Sequence, residues 1–164
     1  MMDREHNFRS LVRQHLQLPE SECIEVLERE RRGVLSVQGD HGYPYGIPMN
    51  HYYDRESGCI YFHCGREGHR NDALARCDRV SFCLFDGGES MADSWIRTVR
   101  SVVVFGRAEL IDDRQEVERI TRKLCYKFTD DEKYIQTEIK NYAAETLLIK
   151  LTPEHICGKR VKEA

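Results

Sequence analysis

Residues 61–74, YFHCGREGHRNDAL, place two glycines, two arginines and a histidine where a strand should give way to a helix. A helix N-terminus presents free backbone N–H groups and the positive end of a dipole. Gly65 and Gly68 would let the backbone approach a ligand closely. Arg66, His69 and Arg70 add positive charge beside those amides. Together these groups can receive a phosphate. On these residues alone, a solvated surface turn is an equal reading.

The remaining chemistry is sparse. The seven cysteines form no Cys-x-x-Cys pair. They read as free, mostly buried thiols of a reducing compartment. His63, Cys64 and His69 lack zinc-site spacing, so no metal is expected. No nucleophile–base pair or carboxylate dyad stands out. Twenty-five Lys and Arg against 28 Asp and Glu give a net charge of -3, which argues against nucleic-acid binding. No apolar run approaches the ~20 residues of a membrane helix. The start, MMDREHNFRS, lacks the apolar core of a signal peptide, and a cytoplasmic protein is expected.

The 164 residues suit one domain, 1–164, with a polar arm over 1–18. PESECIEVLERERRG predicts a helix, with acids in its first turn, arginines in its last and Gly33 as its stop. Ile24 and Leu27 should face the core. Strands are predicted over 33–39, 45–54, 59–64, 79–86, 95–111 and 145–156. Pro48 requires an exposed edge or bulge, and the long strand should break near Gly106. A short helix is expected over about 70–76. Val117, Ile120, Leu124 and Phe128 form one stripe of an amphipathic helix, and a second helix should span 131–142. Hairpin-length loops favour antiparallel pairing. The fold class is therefore mainly β, an antiparallel barrel with flanking helices.

The segments GYPYGIPMN, IYFHC, GHR, VSFC, RSVVVFGRAEL and HICGK carry a resemblance in their order and spacing. Over residues 20–159 the chain resembles the pyridoxamine 5'-phosphate oxidase-like flavoproteins, and within them the nitroimidazole-resistance (Nim) branch. The resemblance implies an FMN-binding split β-barrel working as a homodimer, with flavin at the subunit interface. It implies that Ile47, Pro48, Met49 and Asn50 run beside the flavin ring. Phe62, His63 and Cys64 would end the next strand against the ring or ribityl chain. His69 and Arg70 would meet the phosphate, with Arg66 contributing and Arg70 standing where relatives often carry Lys. Arg100 and Ser101 match a segment that reaches the flavin. His69 is also the candidate catalytic residue, through its position in the Nim branch. The aromatics Tyr52, Tyr53, Tyr61 and Phe62 are expected to exceed one barrel interior and so to favour a dimer. The Arg/His substrate motif and C-terminal segment of true pyridoxine-phosphate oxidases are missing, so vitamin B6 oxidation is not expected. The implied activity is FMN-dependent reduction of a small organic acceptor such as a nitroimidazole. The alternatives are a flavin- or haem-binding barrel without turnover, or a deazaflavin-dependent reductase.

Overall fold

The computed structural model describes residues 8–90 and 92–163. Helix α1 (Glu20–Arg29) buries Cys23, Val26 and Leu27 on one side. It ends before Gly33, because Glu30 is already extended and Arg32 opens strand β1 (Arg32–Gln38). Its last carbonyls find partners elsewhere. His51 Nε2 lies 2.7 Å from the Leu27 oxygen, and Lys127 Nζ donates to the Glu30 oxygen at 2.5 Å. Gly33 serves packing instead of capping. A Cβ there would sit 2.4 Å from Phe82 Cζ, so only glycine lets β1 cross that ring.

The strand expected over 45–54 divides at His51 into β2 (Pro44–Asn50) and β3 (Tyr52–Asp54). Next come β4 (Cys59–Gly65), α2 (His69–Arg76), β5 (Arg79–Phe85) and the short β6 (Glu89–Ser90). Strand β7 (Arg97–Ile111) precedes α3 (Arg114–Cys125) and α4 (Glu132–Tyr142). The last strand, β8 (Thr146–Glu163), runs beyond its expected end. Asp113 and Asp131 cap α3 and α4 by accepting first-turn N–H groups, each cap contributing about 1 kcal/mol.

The sheet order is β2-β1-β5-β7-β8-β4-β3, with β6 on β7, and every pairing is antiparallel. The sheet curls until β2 approaches β4. A bulge sits at Phe105/Gly106, where a Cβ on Gly106 would come within 2.2 Å of the Thr152 oxygen. β7 continues through it.

Two cores follow. Inside the curl, Leu35, Phe62, Phe82, Val104 and Leu151 pack with α1 and α2. Outside it, Tyr61 and Leu148 pack with Val117 and Ile120 of α3 and Ile135 and Ile139 of α4. β4 is therefore buried on both faces along most of its length. The two cores absorb Tyr53, Tyr61 and Phe62, so these aromatics are no surplus calling for a partner. Phe128 lies past the end of α3 and is exposed.

Candidate functional site

β2 ends the sheet path and, among the described residues, pairs with β1 alone. Every second residue of such a strand points its backbone polar groups outward, where a ligand or another chain can meet them. Pro48 sits on this edge strand, where a residue without an N–H is tolerated. A cavity of about 340 Å³ lies here, lined by Arg32, Ile47, Pro48, Met49, Asn50, His63 and Arg70.

Strand alternation selects what reaches it from β4. His63 is exposed, while Phe62 and Cys64 turn inward and are buried. Phe62 meets Phe82 edge-on in the core, so its ring is not available to a ligand in the cavity. Surrounding protein holds the His63 imidazole below its ordinary pKa, and the nearby Arg70 cation adds to this. Burial pushes the Cys64 thiol up, and Arg70 partly offsets it.

The turn into α2 is fixed by Asn71, whose Nδ2 donates to the Gly65 oxygen at 2.9 Å. Gly68 takes φ 127, a value that favours glycine, and no side chain caps the helix start. The cations around this turn have different fates. Arg66 makes a bidentate pair with Asp112 at 2.6 and 2.9 Å and donates to the Ala144 oxygen at 3.1 Å. Arg76 meets Asp40 at 2.7 Å. The His69 ring stacks on Tyr45 with centroids 4.4 Å apart, and its Nε2 lies 3.4 Å from the same Asp40. His69 stands beside the cavity, not among the residues lining it. Arg70 donates to the Asn71 amide oxygen at 3.3 Å and lies beside the Cys64 thiol and the His63 ring. Among the described residues, no carboxylate pairs with Arg70 or Arg32.

Arg100 and Ser101 lie elsewhere in this chain. They sit on β7, with β1 and β5 between that strand and β2. Arg100 is held by Asp86 at 2.8 Å and Glu25 at 3.3 Å. Burial works to raise the Asp86 pKa, but the Arg100 bonds hold it below the usual carboxylate range. The structure thus gathers Ile47, Pro48, Met49, Asn50, His63 and Arg70, and leaves Phe62, Cys64, Arg66, His69, Arg100 and Ser101 off the lining.

Arg32 is the residue that sequence reasoning missed. It reads as one of three arginines ending a helix. In the fold it starts β1 opposite Asn50, and its Nε donates to Asn50 Oδ1 at 2.9 Å. A strand start directly after the helix was the signal that could have found it. The assembled groups suit a planar molecule with a hydrogen-bonding edge and a phosphate: a free backbone edge, then cations without carboxylate partners.

The architecture is that of a split β-barrel with flanking helices. Residues 19–160 match the family described as pyridoxamine 5'-phosphate oxidase, and the chain belongs to that family. No curated protein sequence matches it. Among solved structures, it is similar to a candidate 5-nitroimidazole antibiotic resistance protein from Bacteroides thetaiotaomicron. That alignment has 17% identity and TM-score 0.74, and covers 90% of this chain and 87% of the other. A conserved hypothetical protein from Mycobacterium tuberculosis aligns at 20% identity and TM-score 0.77, over 92% and 90% of the chains. An FAD-binding protein from Mesorhizobium loti aligns at 21% identity and TM-score 0.67, over 88% and 96%. At these identities the likeness is one of fold.

Proposed function

We propose that this chain is a flavin-dependent oxidoreductase that holds FMN along the free edge of β2 and reduces a small organic acceptor of the nitroaromatic kind. One observation carries the reading. The open backbone edge of β2 faces Arg70 and Arg32, while Arg66 and Arg76 beside them are already neutralised by Asp112 and Asp40. This leaves a compact positive site suited to one phosphate group. FMN carries one, whereas FAD, the ligand named for the Mesorhizobium protein, would need further room for a diphosphate and adenosine.

In this reading Arg70 grips the phosphate in bidentate fashion. Ile47, Met49 and Asn50 offer backbone and amide groups to the ring's polar edge, and His63 lies against it. The bound flavin supplies the electron chemistry, and the protein supplies position, electrostatics and access. His69, pinned between Tyr45 and Asp40 at the start of α2, is assigned the proton-donating role. We further propose a cytoplasmic homodimer. Its support in this chain is an 81% exposed Trp95 on the segment before β7, together with the family's fold.

The test of the cofactor is direct. The purified protein should be yellow, and denaturation should release FMN on a chromatography column. FAD, haem, or no chromophore after incubation with FMN would refute the assignment. Light scattering at micromolar concentration should give twice the chain mass, and a stable flavin-loaded monomer would refute the dimer.

A further inference from the structure

Arg32 reaches the β2-edge cavity from the junction where α1 gives way to β1. The group that holds this junction comes from the segment just after α3. The last turn of a helix leaves carbonyls without intrahelical partners. Here the Leu27 oxygen accepts from His51 Nε2 at 2.7 Å and from Lys127 Nζ at 3.5 Å. The same Nζ donates to the Glu30 oxygen at 2.5 Å, across 97 residues of sequence. An ammonium suits this place, because the C-terminal end of a helix is the negative end of its dipole.

The neighbours of Lys127 and of the two carbonyls tighten the same joint. Phe128 lies under the Arg31 guanidinium, 5.3 Å from ring centroid to carbon. The Arg31 oxygen accepts from the His51 N–H at 3.4 Å. Arg32 comes next, in register with Asn50 and bonded to it, and both line the cavity. Gly33 follows and has no side chain with which to anchor the strand start. The aim of Arg32 is therefore set from the α1 side.

We propose that Lys127 is a positioning residue for the flavin site: by holding the Leu27 and Glu30 carbonyls it fixes where β1 begins, and so where the Arg32 guanidinium stands beside Asn50. Lys127 lines no part of the cavity itself. What Arg32 meets in the cavity rests on the function proposed above; the joint stands without it.

The charge of Lys127 separates this role from plain stability. Burial pushes its pKa down from 10.5 to about 8; Glu30 and Glu28 pull it up, and Arg31 pushes it down. His51, the other titratable group at the joint, is held far below this range by burial. Because the folded value lies below the unfolded one, stability from this group rises as pH climbs from about 8 toward 10.5. The two carbonyl contacts, in contrast, weaken when the donor loses its charge. An arginine there would stay charged.

FMN fluorescence titration of the full chain, at one ionic strength, tests the proposal. Lys127→Met should weaken binding by up to about tenfold, the share of one charge-assisted contact. In an Arg32→Ala background the same substitution should change affinity by less than about twofold, since the group it places is gone. Wild type should lose affinity as pH rises through about 8, with no fall in its urea midpoint, and Lys127→Arg should not. Hydrogen exchange needs no flavin: amides of residues 32–34 and 49–51 should exchange faster in Lys127→Met and return to wild-type rates in Lys127→Arg. If they do so while no form of the protein takes up FMN, the joint stands and the flavin reading alone fails. Unchanged exchange at these amides, or an equal loss of FMN with and without Arg32, overturns the inference. Should Lys127→Met not fold, a wild-type pH profile identical to that of Lys127→Arg overturns it.

Discussion

Replacing Arg70 by alanine should weaken FMN binding far more than replacing Arg66. Both arginines flank one turn, and sequence gives little reason to choose between them. Their surroundings differ. Arg66 is spent on Asp112, at 2.6 and 2.9 Å, and on the Ala144 carbonyl. To serve a phosphate it would first have to leave that pair. Arg70 gives up no carboxylate partner among the described residues, only neutral contacts such as the 3.3 Å one with Asn71. A charge-assisted hydrogen bond contributes about 1.5–3 kcal/mol, or about tenfold to hundredfold in affinity. Arg70→Ala should lose an amount in this range. Arg70→Lys should fall between, because it keeps the charge and loses the planar fork. Arg66→Ala should bind FMN nearly as wild type does, since exposed ion pairs contribute little and neither member of this one lines the cavity. Quenching of FMN fluorescence on titration with apo-protein measures all three, at one fixed ionic strength because the contact is screened by salt. Equal affinities for wild type and Arg70→Ala would place the phosphate elsewhere, and a larger loss in Arg66→Ala would show that its pair with Asp112 opens.

Two further expectations concern histidines. His69→Ala should keep the fold and most of the flavin, since Arg70 and the α2 amides remain, but slow reoxidation by a nitroimidazole in stopped-flow by up to roughly 10²–10⁴-fold; loss of flavin instead would make His69 a phosphate ligand. His51 is buried, and desolvation, reinforced by Lys127, pushes its pKa down to about 3 from 6.5. The unfolded chain therefore binds a proton that the folded one refuses. Its stabilising effect is complete above the unfolded pKa and declines as pH falls from about 6.5 toward the folded value, by about 1.4 kcal/mol per pH unit. Carboxylates such as Asp86 and Glu28, held low in the fold, act in the same direction at lower pH. His51→Gln keeps a donor for the Leu27 oxygen and should flatten the decline by about that slope in urea unfolding between about pH 6 and pH 4. An unchanged slope would show that His51 is protonated in the folded chain.

Local pattern determined most of the elements. The stripe of Val117, Ile120 and Leu124 made α3 legible, because burial on one helix face imposes a 3.6-residue period. Hairpin-length loops foretold antiparallel pairing, since parallel neighbours need long crossovers. The edge position of β2 was legible in Pro48, which has no N–H for an inner ladder, and the start of α2 in its glycines and cations. What sequence did not decide was the partner of each charged group. Arg66 and Arg70 differ only because the curl of the sheet brings Asp112, at the end of β7, to one of them and not to the other. Arg32 looked like a helix-ending charge until Gly33, passing over Phe82, proved to be strand. His51, a polar residue between two short strands, lies in the core because α1 supplies it with a carbonyl 24 residues away. Backbone propensity acts between near neighbours and can be read along the chain. Coulomb and hydrogen-bond partners are set by long-range closure of the sheet, and only the tertiary structure decided them.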